Sequence, residues 1–139
     1  MTDPSAPPSH TGRLFIIGGG RRPPEMMRAF LTLVGTVNGA VAIIPFASSR
    51  PEEQGSALQK ELRALGTNRA DVLLATDAAA AQEAEHAGGV FFTGGDQRVL
   101  VNRLAGTPLL SAIHEAWRHG TVIGGTSAGA AVMSRVMLT

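Results

Sequence analysis

Apolar residues in this chain fall into short continuous runs separated by stretches in which they recur every three or four positions. RLFIIGGG (13–20), AVAIIP (40–45), DVLLA (71–75), GVFFTGGD (89–96) and TVIGG (121–125) are runs of the first kind. Each is short, does not alternate with polar residues, and is bounded by Gly, Pro or Asp, as expected of strands buried on both faces. Between them, Met26, Met27, Phe30, Leu31 and Val34 predict a first helix that Gly35 ends. Pro51 with Glu52 and Glu53 opens a second, whose inner face is Leu58, Leu62 and Leu65 and which Gly66 closes. Asp77 is placed to cap an alanine-rich helix over 78–86, and Asp96 to cap one carrying Val99, Leu100 and Leu104. A last helix starts at Pro108, with Leu109, Leu110, Ile113, Ala116 and Trp117 on one stripe and Gly120 as its stop.

Strands and helices therefore alternate, which predicts a parallel sheet covered on both faces: a flavodoxin-like, doubly wound α/β fold. Residues 1–12, rich in Pro, Ser, Thr and Gly, read as a flexible tail, and 13–139 as one α/β domain. In such sheets ligands bind beyond the carboxyl ends of the strands. The predicted ends are Gly18-Gly19-Gly20, Ala47-Ser48-Ser49, Thr76-Asp77, Thr93-Gly94-Gly95-Asp96-Gln97 and Gly125-Thr126-Ser127. Small and polar residues collect along that one rim.

Composition narrows the chemistry. The 139 residues are 44% hydrophobic and 17% charged, a soluble globular balance. With no cysteine, disulfides, thiolate metal ligands and cysteine nucleophiles are excluded. A net charge of +1, with scattered arginines and Lys60 as the sole lysine, argues against a nucleic-acid surface. No run is long enough to span a bilayer, and the N-terminus lacks the plan of a secretory signal, so a cytoplasmic location is expected. Gly18-Gly19-Gly20 is followed by Arg21, Arg22 and Pro23, which is not the spacing of a dinucleotide loop. His and carboxylate residues do not fall at ligand spacing, so neither a metal nor another cofactor is expected.

Gly125-Thr126-Ser127-Ala128-Gly129 has the Gly-x-Ser-x-Gly spacing of a nucleophile elbow and follows a predicted strand. Such a turn lifts the Ser127 hydroxyl above the sheet and aims the Ala128 N–H at a developing oxyanion. The same residues also suit a plain glycine turn with a capping hydroxyl. Gly94-Gly95-Asp96-Gln97 is likewise explicable as a tight turn capped by Asp96. Beside a serine elbow it becomes a second source of an oxyanion N–H.

FFTGGDQ and GGTSAGAAVMS together resemble the cyanophycinases, a serine peptidase family that also includes aspartyl dipeptidase E, and LFIIGGG and IIPFASSRPEE are similar to its opening segments. The resemblance covers roughly 13–139. It implies a flavodoxin-like sheet of the class I glutamine amidotransferase type, and a Ser-His-acid arrangement. It further implies hydrolysis of cyanophycin, a poly-aspartate with arginine on each side-chain carboxyl, to β-Asp-Arg dipeptides. Carried over by position, Ser127 is the nucleophile, and the N–H groups of Ala128 and of Gly95 or Asp96 form the oxyanion hole. Gln97 holds the aspartyl end, with Ser48, Ser49 and Arg50 as further substrate contacts.

In that family the histidine and acid follow the serine, and this sequence ends before reaching them. His86 and His119 precede the fourth and fifth strands, which puts them roughly 13–17 Å from the elbow end. His114 lies within a helix along the sheet face and His10 in the tail, so none comes within reach of Ser127. The domain is therefore expected to be incomplete at its C-terminus, with a sheet edge open to a complementing segment or to a second copy in a homodimer. Two other readings remain: a dipeptidase E-like enzyme, and a non-catalytic module that binds a small ligand at the glycine-rich rim.

Overall fold

A computed structural model describes residues 12–17, 22–35 and 39–126. Five strands form one parallel sheet: β1 (Leu14–Ile17), β2 (Val41–Ile44), β3 (Ala70–Val72), β4 (Gly89–Phe92) and β5 (Val122–Thr126), in the order β1-β5-β4-β2-β3. Five helices connect them: α1 (Pro24–Gly35), α2 (Pro51–Ala64), α3 (Ala78–Glu85), α4 (Gln97–Leu104) and α5 (Pro108–Arg118). This is the flavodoxin-like, doubly wound arrangement expected from the alternation of patterns. Among the described residues no helix is long and apolar enough to cross a membrane.

The non-alternating strands have a direct cause. Every residue of β2, β4 and β5 is buried, because the helices divide into two layers. Met27, Phe30 and Val34 of α1 and Leu58 and Leu62 of α2 pack with Val41, Ile43, Phe91 and Val122 on one face. Ala80 and Ala84 of α3, Leu100 and Leu104 of α4 and Leu109, Ala112 and Ile113 of α5 pack with Ala42, Ile44, Val90, Phe92 and Ile123 on the other. Phe30 meets Phe91 edge-on, with centroids 5.2 Å apart at 77°. The close packing needs a glycine in β5: a Cβ on Gly124 would lie 2.8 Å from the Phe91 ring and 3.0 Å from that of Phe30.

Both predicted caps form. The Asp77 carboxylate accepts from the Ala80 N–H at 3.0 Å, and that of Asp96 from the Arg98 N–H at 2.9 Å. Thr107, which the sequence pattern did not single out, caps α5 by accepting from the Leu110 N–H. His86 is the C-cap of α3 and not its last helical residue.

Two further boundaries differ from expectation. β3 ends at Val72 instead of continuing to Ala75, because it is an edge strand whose ladder with β2 closes at Val72 opposite Ile43. The Leu73 N–H still donates to Ile43 O at 2.9 Å, after which Leu74 turns outward, 47% exposed. Gly12, assigned to the tail, is docked: its N–H donates to Trp117 O at 2.6 Å. The remainder of the predicted tail, residues 1–11, lies outside the described residues.

Because Gly124 is filled around by two aromatic rings, Gly124→Val should destabilise the fold by about 1–3 kcal/mol. Urea unfolding should show this as a lower midpoint, and an unchanged midpoint would mean that the α1 layer yields freely.

Candidate functional site

The carboxyl ends of β5, β4 and β2 stand side by side, since these three strands are neighbours in the sheet. Their exits hold most of the residues singled out from the sequence. Ser127 and Ala128 follow directly on β5 but lie outside the described residues, as do Gly18-Gly19-Gly20 after β1. Thr126, the last described residue before Ser127, is buried.

The turn after β4 leans on the exit of β2. Thr93 N–H donates to Ile44 O at 3.2 Å and Asp96 N–H to Ala47 O at 2.7 Å, so main chain is tied to main chain beyond the end of the ladder. Gly95 makes the approach feasible. Its φ is +143°, and a Cβ there would lie 2.0 Å from Ala47 O and 2.7 Å from Ser48 N. No side chain fits in that space, so the second glycine of the pair is required by contact as well as by conformation. Among the described residues nothing accepts from the Gly95 N–H, whereas the Asp96 N–H is already engaged.

Asp96 starts α4, and Gln97 stands exposed as the first helical residue. The Arg98 backbone N–H, and secondarily the Arg98 charge, hold the Asp96 carboxyl below the usual aspartate pKa. The helix N-terminus favours negative charge at the same place.

The segment after β2 is shaped by its own hydroxyl. Ser48 Oγ accepts from the Arg50 N–H at 3.0 Å, closing a local turn, and Ser49 and Arg50 are exposed. Arg50 reaches Glu53 at 3.4 Å, a solvent-exposed pair with little energetic weight. The fold thus brings Ser48 against Gly95 and Asp96, but Arg50 points along α2.

Several features of this rim had no sequence signal. The Arg103 guanidinium lies 4.6 Å from the centre of the Phe46 ring and donates to Leu74 O at 3.3 Å. Arg103 belongs to α4, Phe46 to the exit of β2 and Leu74 to the exit of β3, so only the sheet order unites them. They border a cleft of about 310 Å3 that also takes in Ser48, Glu52 and Val99. Thr93 at the tip of β4 is fully buried, and its hydroxyl has no hydrogen-bond partner among the described residues. A larger hollow of about 450 Å3, bordered by Gly39, Gly66 and Thr67, opens at the opposite edge, away from every strand exit. Among the described residues no three His, Asp or Glu side chains come close enough together to share a metal ion.

The histidines sit where the sequence order placed them. His86 and His119 cap the C-termini of α3 and α5, just ahead of β4 and β5, with their Nδ1 atoms 2.7 Å from Gln82 O and Glu115 O. His114 is half-buried within α5, and His10 lies outside the described residues.

Gly95→Ala should break the crossing with Ala47, destabilising the fold by at least about 2 kcal/mol and speeding hydrogen exchange at the Asp96 amide. Unchanged exchange at that amide would show that the turn relaxes around a methyl group. The depressed Asp96 pKa has a defined sign: its contribution to stability is present above the unfolded aspartate value, about 3.9, and is lost as pH falls through the lower folded value. Asp96→Asn retains a capping oxygen, so the helix should persist while this part of the acid dependence disappears from pH-dependent unfolding curves.

Comparison with known proteins agrees with this geometry. The sequence profile of Peptidase family S51 matches residues 14–139. A cyanophycinase from Synechococcus elongatus is 34% identical, over 93% of this chain and 43% of its own length. Another cyanophycinase, from Geminocystis herdmanii (strain PCC 6308), is 33% identical over 90% of this chain and 50% of its own. The chain thus spans half or less of the length of these two relatives. A crystal structure of a peptidase from an acI-B1 Actinobacterium superposes with a TM-score of 0.77 at 27% identity, covering 89% of this chain and 57% of that one. With the match running from β1 through the segment after β5, and with a parallel sheet whose exits converge on one rim, the chain belongs to Peptidase family S51.

Proposed function

We propose that the protein carrying this chain is a serine-type peptidase that hydrolyses cyanophycin to β-Asp-Arg dipeptides through an acyl-enzyme on Ser127. The observation that supports this most is the Gly95 turn. An N–H free of other acceptors among the described residues stands at the tip of the strand beside the one that leads into Ser127. Catalysis of acyl transfer needs such a donor where the carbonyl oxygen becomes negative.

In this reading Ser127 Oγ attacks the scissile backbone carbonyl, and a base takes its proton. The tetrahedral oxyanion is received by the N–H groups of Ala128 and Gly95. Because the Asp96 N–H is spent on Ala47, Gly95 is the donor of choice of the two. The amine leaves with the proton, and water then releases the acyl group and restores the hydroxyl. Gln97, exposed at the start of α4, is a contact for the aspartyl end of the substrate, and Ser48 lines the same rim.

The base is assigned to sequence outside these 139 residues. His86 and His119 lie at the amino ends of β4 and β5, roughly 13–17 Å along the strands from the rim, and His114 is held within the α5 layer. The chain covers 43% of the length of the Synechococcus elongatus cyanophycinase, which leaves ample room for a histidine and an acid in a complementing segment.

Ser127→Ala in the full-length protein should lower the release of β-Asp-Arg dipeptides from cyanophycin by about a thousandfold or more, measured by chromatography of the products. Undiminished release would remove Ser127 from the mechanism. Cleavage of free N-terminal aspartyl dipeptides in place of cyanophycin would assign the protein to dipeptidase E-like chemistry. Failure of a fluorophosphonate to label Ser127 would favour a purely binding role.

A further inference from the structure

We propose that the cleft between the exits of β2 and β3 and the α4 side chains Val99 and Arg103 is a subsite for the arginyl branch of the substrate, with Glu52 taking its guanidinium and Arg103 its α-carboxylate. This rests on the reading of the protein as a peptidase acting on an arginine-bearing poly-aspartate. Each branch of that polymer carries two opposite charges, a guanidinium at its end and a carboxylate nearer the backbone. The cleft carries the complementary pair.

Three features of the cleft match such a ligand. Arg103 is already oriented, stacked 4.6 Å from the Phe46 centroid and bonded to Leu74 O, so little freedom is lost when its remaining N–H groups meet a carboxylate. Glu52 has no partner among the described residues, although it stands in the first turn of α2 within the same hollow. Leu74 and Val99, 47% and 45% exposed, are two of the three large apolar side chains left in solvent among the described residues, and both border the cleft. They offer a wall for the methylene stem of an arginine, which a purely polar hollow would not.

The distances agree as well. The cleft stands above β2 and β3, two to three strand spacings, or roughly 10–14 Å, from the end of β5 that precedes Ser127. Ten bonds separate the backbone carbonyl carbon of an aspartyl unit from the guanidinium carbon of its branch, a reach of roughly 12 Å when extended. A volume of about 310 Å3 accommodates one such branch.

The test is calorimetric, on full-length protein carrying Ser127→Ala to prevent turnover. The probes are β-Asp-Arg, its neutral isostere β-Asp-citrulline and β-Asp-agmatine, which lacks the branch carboxylate. The parent should bind β-Asp-Arg about tenfold more tightly than either analogue, as expected for one charge-assisted contact at a partly solvated site. Glu52→Gln should erase the preference over citrulline and leave that over agmatine, and Arg103→Gln should do the reverse. If both variants keep the parent's ratios while the catalytically intact enzyme still hydrolyses cyanophycin, the subsite is wrong and the peptidase reading stands. If the intact enzyme neither cleaves cyanophycin nor binds β-Asp-Arg, the substrate reading falls and the subsite with it.

Discussion

The rim of this sheet is organised by a contact between two stretches of main chain. Asp96 donates its N–H to Ala47 O at 2.7 Å across a gap that only a glycine at 95 permits. The bond joins the exit of β4 to the exit of β2 after the regular ladder has ended. It sets where α4 begins, hence where Asp96 caps, where Gln97 stands and where Arg103 meets Phe46 and Leu74. It also divides the two amides of the turn: that of Asp96 is consumed by Ala47 O, while that of Gly95 meets no acceptor among the described residues.

Precision at such a rim depends on a rigid base. β2, β4 and β5 are buried along their whole length between two helix layers, so the strands that carry the site cannot tilt without opening a core. Glycines 124 and 95 allow close approach at two levels, ring against strand in the core and chain against chain at the tip. The buried Thr93 hydroxyl, unpartnered among the described residues, marks the same boundary between apolar core and polar rim. A serine elbow on β5 would inherit this rigidity, which suits a reaction that tolerates little misplacement of its oxyanion donors.

Much of the architecture was legible in the chain. Short runs that do not alternate read correctly as strands covered on both faces at β2, β4 and β5, because a half-exposed strand would have to show polar residues at every second position. β1 and β3 are strands too, but Leu14, Phe15 and Val72 are only half-buried and Asp71 is exposed. Asp77 and Asp96 read correctly as caps, since their hydrogen bonds span only two or three residues. β3 is shorter than its apolar run because such a run does not reveal that its strand lies at the edge, where pairing ends early and Leu74 turns outward. The Thr107 cap is just as local, a threonine directly ahead of the Pro108 that marks the helix start.

The sequence by itself determined which segments are strands and helices, which ends carry glycine and small polar residues, and that His86 and His119 stand ahead of β4 and β5, away from the strand exits. Those properties are local or follow from chain order. Only the tertiary structure decided that β4 lies between β5 and β2, that the Asp96 amide belongs to Ala47, and that Arg103, Phe46, Leu74 and Glu52 border one cleft. These are contacts between residues tens of positions apart, made by backbone atoms that every residue shares or by side chains common on any surface. Their pairing is set by the order in which the strands pack, and no short stretch of sequence encodes that order.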